Sequence, residues 1–289
     1  LLSNNINYSD YDIVNTYMAV GGIPYYLSYL KSGLSLAQNL DNIFFNKNCL
    51  LDNEFDELFS SQFTNPDRYK SIIELLNIKK SGYTITEISN LLNLSLNSAL
   101  YNMIKALETG SFIVSYVPFG ENKNNRKYRL IDPFCLFYLN NIKDNIGKDN
   151  YWVNNLDSQH LVVWRGLAFE NVCFNHVDKI KEKIGIPWMS TNEFMLQFMS
   201  DDNHKGSQID MLIERKDNIV NLCEIKYYSS VYRINKDAYL NLMNKNNNLK
   251  NHLNKKQGIM NVLITTYGLT QNEYSSVYSH VITLEDLIK

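Results

Sequence analysis

Apolar residues in the first sixty positions recur at three- and four-residue intervals: Tyr11, Val14, Tyr17 and Met18, then Leu27, Leu30, Leu34 and Leu36, then Phe55, Leu58 and Phe59. That spacing lines one face of a 3.6-residue turn and predicts short helices. The run Gly21-Gly22-Ile23-Pro24 interrupts them, because paired glycines admit a turn and proline suits the first position of a new helix. Residues 1–65 are therefore expected to form a small helical segment.

The pattern then becomes three helices and a hairpin. Ile72, Ile73, Leu75 and Leu76 mark a helix over 68–80 that Ser81-Gly82 closes. Thr84 and Glu87 have capping-box spacing and open a second helix through Leu91, since hydroxyl and carboxylate each satisfy a free backbone donor. Ser95 is the expected cap of a third, which carries Leu100, Ile104 and Leu107 and stops at Gly110. Residues 112–117 and 127–131 read as strands joined by the polar stretch 120–126. This order predicts a winged helix-turn-helix with a connector over 66–150.

A linker or cap is expected over 151–161, and a helix from Trp164 to about Ile184. Strands follow at 193–199, 208–214 and 219–227, with Lys216-Asp217-Asn218 as a tight turn between the last two. A Lys- and Asn-rich helical segment over 237–256, strands at 261–265 and 281–283 and a short terminal helix complete an α/β domain over 151–289. The polar run 244–248 reads as helix surface. The whole is expected to be an α+β multidomain chain with a mixed sheet.

Composition narrows the choice. With 289 residues and 45% hydrophobic content, the chain is long enough for two or three modules with a substantial core. A net charge of −2 supplies no global pull on nucleic acid, so DNA contact would depend on local cations. Cys49, Cys135, Cys173 and Cys223 stand far apart in apolar stretches and read as reduced core thiols; the histidines lack ligand spacing. No apolar run is long enough for a membrane span and no signal-peptide layout is present, which makes the cytoplasm the expected compartment. The start Leu1-Leu2-Ser3, without methionine, leads us to expect a piece cut from a longer protein.

The chemistry concentrates in the last module. Asp210 is an acid inside the otherwise apolar run Ile209-Asp210-Met211-Leu212-Ile213. Glu224 and Lys226 are two apart in Leu222-Cys223-Glu224-Ile225-Lys226, so the period of a strand puts both on one face. Glu170 lies on the preceding helix in register with Gly166, Cys173 and Val177. Phosphodiester hydrolysis needs carboxylates to hold a divalent ion and a group to position the attacking water, and these residue types supply both.

Helix acid, strand acid and Glu-x-Lys in this order resemble the PD-(D/E)XK nuclease superfamily, which includes restriction endonucleases and archaeal Holliday-junction resolvases. The resemblance implies a catalytic set of Glu170, Asp210, Glu224 and Lys226, with Asp210, Glu224 and Glu170 on Mg²⁺ or Mn²⁺ and Lys226 assisting the nucleophile. Ile209 stands where the family name has proline. A wider resemblance rests on Gly21-Gly22-Ile23-Pro24-Tyr25-Tyr26-Leu27, Glu54-Phe55-Asp56-Glu57-Leu58-Phe59, Trp164-Arg165-Gly166-Leu167-Ala168-Phe169-Glu170 and Leu222-Cys223-Glu224-Ile225-Lys226-Tyr227. Together these look like the C-terminal portion of archaeal-type AAA-like ATPases, which implies a lid remnant, a winged helix and a nuclease-like domain behind an upstream ATPase domain. No phosphate-cradling G-x-x-x-x-G-K-[ST] occurs, so ATP binding is expected only of a full-length protein.

For DNA, the third helix offers Asn97, Ser98, Tyr101, Asn102 and Lys105, and the wing offers Lys123, Arg126 and Lys127. The same module could equally serve as packing between its neighbours, since the helix carries one lysine and no arginine. Two functions follow: a metal-dependent DNA endonuclease governed by an ATPase, or a catalytically inactive module that binds DNA or protein.

Overall fold

The computed structural model describes residues 6–198 and 206–288; the expected chain start at Leu1-Leu2-Ser3 and the last residue of the expected strand 193–199, Met199, lie outside them. The fold is α+β. Two compact units divide it, Leu1–Tyr116 with Lys123–Ala168, and Val117–Asn122 with Phe169–Lys289. The expected segments 1–65 and 66–150 fall almost entirely in the first unit, and the expected segment 151–289 begins in the first and ends in the second.

In the first unit α1 (Asp10–Val20) is capped by Ser9, whose hydroxyl accepts from Asp12 N, and ends at Gly21 with φ 66°. After α2 (Pro24–Ser28), Ser35 and Gln38 form a capping box on α3 (Leu36–Leu40), which widens into a turn over Asp41–Phe45. Both oxygens of the buried Asp41 carboxylate accept backbone N–H groups, from Trp152 (2.7 Å) and Val153 (3.0 Å). Then come α4 (Glu54–Gln62), α5 (Pro66–Ile78), β1 (Tyr83–Thr84), α6 (Ile85–Leu91), α7 (Ser98–Thr109), β2 (Ile113–Tyr116), β3 (Lys127–Leu130), α8 (Pro133–Phe137) and α9 (Tyr151–Asn154). An aromatic core of Phe44, Phe45, Phe134, Phe137, Trp152 and Trp164 holds the N-terminal helices to α8 and α9. The three strands form an antiparallel sheet in the order β1-β3-β2.

The capping box of Thr84 and Glu87 opens α6 as its spacing predicts. The cap of α7 is different: Asn97, not Ser95, accepts from Ala99 N and Leu100 N, because the chain turns helical two residues later than expected. Gly82 sits at φ +66°, where an added Cβ would lie 2.0 Å from the Tyr128 carbonyl oxygen. Left-handed backbone and a closed approach both forbid a side chain there. Gly82→Ala is therefore expected to destabilise the first unit by about 3 kcal/mol; a urea midpoint equal to that of the unsubstituted chain would contradict this.

A single helix, α10 (Gln159–Asn175), runs through the division between units at 168/169. It starts before the expected Trp164, since Leu161 and Trp164 are both buried. The expected helix to Ile184 breaks at His176, whose backbone leaves the helical region (φ −117°, ψ 28°), and resumes as α11 (Val177–Lys183). The second unit then lays out β4 (Thr191–Phe198), β5 (Ser207–Arg215), β6 (Ile219–Lys226), α12 (Lys236–Lys250), β7 (Gly258–Thr265), β8 (His280–Ile282) and α13 (Leu284–Ile288).

Its five-stranded sheet has the order β4-β5-β6-β7-β8. The first three strands are antiparallel, and β7 and β8 join in parallel, as a connection through a helix requires. Strand β7 starts earlier than the expected 261 because Gly258 pairs with Ile219. Leu212, Val220, Leu222 and Leu263 on the sheet pack with Leu242 and Leu249 of α12 in one apolar cluster. The loop residue Phe119 meets Phe194 edge-on at 5.4 Å in this unit. Among the described residues no helix is long and apolar enough to cross a membrane.

Candidate functional site

The β5–β6 hairpin turns at Asn218, with φ 62°, and Arg215 holds the turn by bonding the Asp217 carboxylate. From there the ladder runs Glu214↔Val220, Ile213↔Asn221, Leu212↔Leu222 and Met211↔Cys223, where it ends. Asp210 is the next residue. Its Oδ2 accepts from Ile225 N at 3.0 Å, so a carboxylate takes the backbone donor that a continuing strand would have used. The strands part at this point while β6 goes on pairing with β7 through Lys226↔Thr265.

Glu224 and Lys226 project from the same face of β6, and Lys226 Nζ lies 2.6 Å from Glu224 Oε1. The other oxygen, Oε2, is 2.5 Å from Lys245 Nζ of α12. Burial pushes the Glu224 carboxyl up, but Lys226 and Lys245 outweigh it and hold the group below its ordinary value. Burial likewise pulls Lys226 down, yet Glu224 first and Asp210 next raise it above the ordinary lysine value. The charge of Asp210 thus reaches the Lys226 ammonium.

Glu170 is buried on α10 at 8% exposure. Burial raises the Cys173 thiol one turn further on, and the charges of Glu170 and Asp210 add to it. Asp210, Glu224 and Lys226 are brought together at the end of the hairpin, and Glu170 lies one helical turn before Cys173 on α10. Among the described residues no three His, Cys, Asp or Glu side chains already converge as a ligand group. Cys135, Cys173 and Cys223 are buried free thiols, and Cys49 is a half-buried one.

Four residues that sequence reasoning passed over complete the surroundings. The run 244–248, expected as helix surface, is mostly half-buried: Asn248 is buried and donates to Ser207 Oγ at 2.8 Å, and Lys245 is 13% exposed at its side chain. The reason is that α12 turns this part of its circumference toward the sheet. A signal was present, because Lys245 stands three residues after Leu242 and four before Leu249, both buried. Tyr232 and Tyr278 are buried near the same charges. Burial raises both phenols; Glu224 adds to each, and at Tyr232 the Lys226 ammonium opposes it.

Hard carboxylate oxygens are the donors that Mg²⁺ and Mn²⁺ select. Asp210 and Glu224 supply them, and the ammonium groups on Glu224 already stand where a cation would be attracted. The donor chemistry fits a divalent ion on Asp210 and Glu224 once Glu224 exchanges an ammonium.

The residues expected at DNA lie in the first unit. Ser98, Tyr101, Asn102 and Lys105 are exposed along α7, opposite the buried Leu100, Met103, Ile104 and Leu107. Asn97 is exposed as well, but its side-chain oxygen caps the helix. Lys123 is exposed in a short turn, Arg126 donates to Ser115 Oγ at 3.2 Å, and Lys127 is half-buried on the central strand β3. No protein-family model matches the chain, and no curated protein matches it significantly.

Proposed function

We propose that the second unit is a PD-(D/E)XK-type domain that hydrolyses phosphodiester bonds in DNA with a divalent metal, in a protein resembling archaeal-type AAA-like ATPases. The observation that carries this reading is the buried pair Asp210 and Glu224 at the parting of two strands, with Lys226 against Glu224. Two acids and a lysine in so confined a place have a chemical use beyond packing, since buried charges are costly unless employed or compensated. Asp210 and Glu224 are the ligands in this reading, Glu170 adds a direct or water-mediated contact, and Lys226 orients the attacking water. Bound Mg²⁺ or Mn²⁺ supplies charge stabilisation at the phosphate and an acidified water. ATP belongs to an upstream domain of the intact protein.

Incubation of the 289-residue chain with linear, nicked and branched DNA tests the proposal. Cleavage is expected with Mn²⁺ and none with a chelator. Absence of metal-dependent cleavage on every substrate would favour the second reading, a nuclease fold kept for binding DNA or protein. One observation speaks for that alternative: both Glu224 oxygens are already engaged by lysines.

The α5–α7 segment with its β2–β3 hairpin is read as a winged helix whose DNA contacts are mainly to phosphate, because its cations gather at Lys123, Arg126 and Lys127. Replacing those three by alanine is expected to weaken duplex binding about tenfold and to flatten its salt dependence. Binding that is insensitive to salt and unaffected by the replacement would leave the segment a packing module.

A further inference from the structure

Two ammonium groups share one buried carboxylate, and a structural ion pair needs only one. Lys226 Nζ at 2.6 Å from Glu224 Oε1 already matches the charge of that residue. Lys245 is nonetheless directed inward from the apolar stripe of α12, between the buried Leu242 and Leu249, to place its Nζ 2.5 Å from Oε2. Taking a second ammonium out of water is unfavourable unless another negative charge repays it. Asp210 is that charge: it is buried where the strands part, and its Oδ2 accepts from the backbone N–H of Ile225, between Glu224 and Lys226. The two carboxylates and two ammoniums balance, and the two ammoniums together carry the charge of one divalent ion.

Resting on the metal-site reading above, we propose that Lys245 is the stand-in for the metal: its ammonium holds Glu224 Oε2 in the metal-free protein and gives it up when a divalent ion binds. The exchange suits lysine, a compact point charge on a flexible four-carbon stem that can leave without any shift of the α12 backbone. Lys226, on the same strand as Glu224, stays paired to it. A divalent ion added to these four balanced groups raises the positive charge of the site, and the freed Lys245 ammonium adds to the attraction for an anion. A phosphodiester is an anion of the kind such a site takes. Lys245 is therefore a positioning residue with two linked effects, competition with the metal and attraction of phosphate once displaced.

The test compares the full 289-residue chain with Lys245→Met, which keeps the apolar stem, using Mn²⁺ titration calorimetry and thermal melts in chelator and in Mn²⁺. Removing a competitor is expected to tighten Mn²⁺ binding roughly tenfold. The variant is expected to melt below the unsubstituted chain in chelator, with the gap closing in Mn²⁺. A Lys245→Met chain that folds only when Mn²⁺ is present also supports the inference. If methionine prevents folding under both conditions, Lys245→Gln carries the same comparison. Mn²⁺ binding by the unsubstituted chain that is equal or weaker in the folded variant overturns the role of Lys245 and leaves the metal site standing. Failure of both chains to bind Mn²⁺ overturns the two together.

Discussion

Asp210→Asn is expected to abolish metal-dependent DNA cleavage, with a loss on the order of a thousandfold or more, while leaving the fold intact. The two effects separate because Asp210 has two jobs. As a carboxylate it supplies a hard, charged ligand; as a hydrogen-bond acceptor its Oδ2 satisfies Ile225 N at 3.0 Å where the β5–β6 ladder ends. An asparagine amide oxygen can take over the second job and not the first. Asp210→Ala loses both, and the orphaned backbone donor is expected to cost about 1–3 kcal/mol in stability. Cleavage assays beside urea melts of both variants check this. Asparagine cleaving as well as aspartate would remove Asp210 from the reaction.

A large stability effect is expected at Glu224. Replacing it by alanine removes the carboxylate that Lys226 and Lys245 share, with side chains 29% and 13% exposed, and leaves Asp210 as the one acid against two ammoniums. Stranding one partner of a buried pair costs about 3–5 kcal/mol, and the partial exposure of Lys226 places the expected loss near the lower end. Adding Lys245→Met should restore part of it, because the two changes act on one cluster and cannot be additive. Urea unfolding of the single and double variants gives the coupling directly; a Glu224→Ala midpoint equal to that of the unsubstituted chain would mean that the cluster contributes nothing to folding.

Much of the sheet was legible because strands with one acid in an apolar run stand out at a period of two. The hairpin around Asn218, the placement of Asp210 on β5 and the shared face of Glu224 and Lys226 all follow from that period. The Thr84–Glu87 capping box was equally legible, being a local pattern with a local cause. Lys245 was not, since a lysine among asparagines looks like solvent-facing polarity until Leu242 and Leu249 are counted as the stripe that carries it. Nor was the end of the β5–β6 ladder, which depends on an acceptor, Asp210, replacing a backbone bond across the sheet. The division at 168/169 escaped sequence reasoning because α10 passes through it with an unbroken helical pattern. The cap of α7 was misplaced since Ser95 and Asn97 are both good caps, and only the backbone decides between them.

Titration calorimetry of Mn²⁺ into the 289-residue chain asks whether Asp210 and Glu224 form a metal site before any question of substrate arises. Saturable binding at millimolar concentration or tighter is expected, and it is expected to disappear in Asp210→Asn. No binding at millimolar Mn²⁺, or equal binding by the asparagine variant, would contradict the metal site.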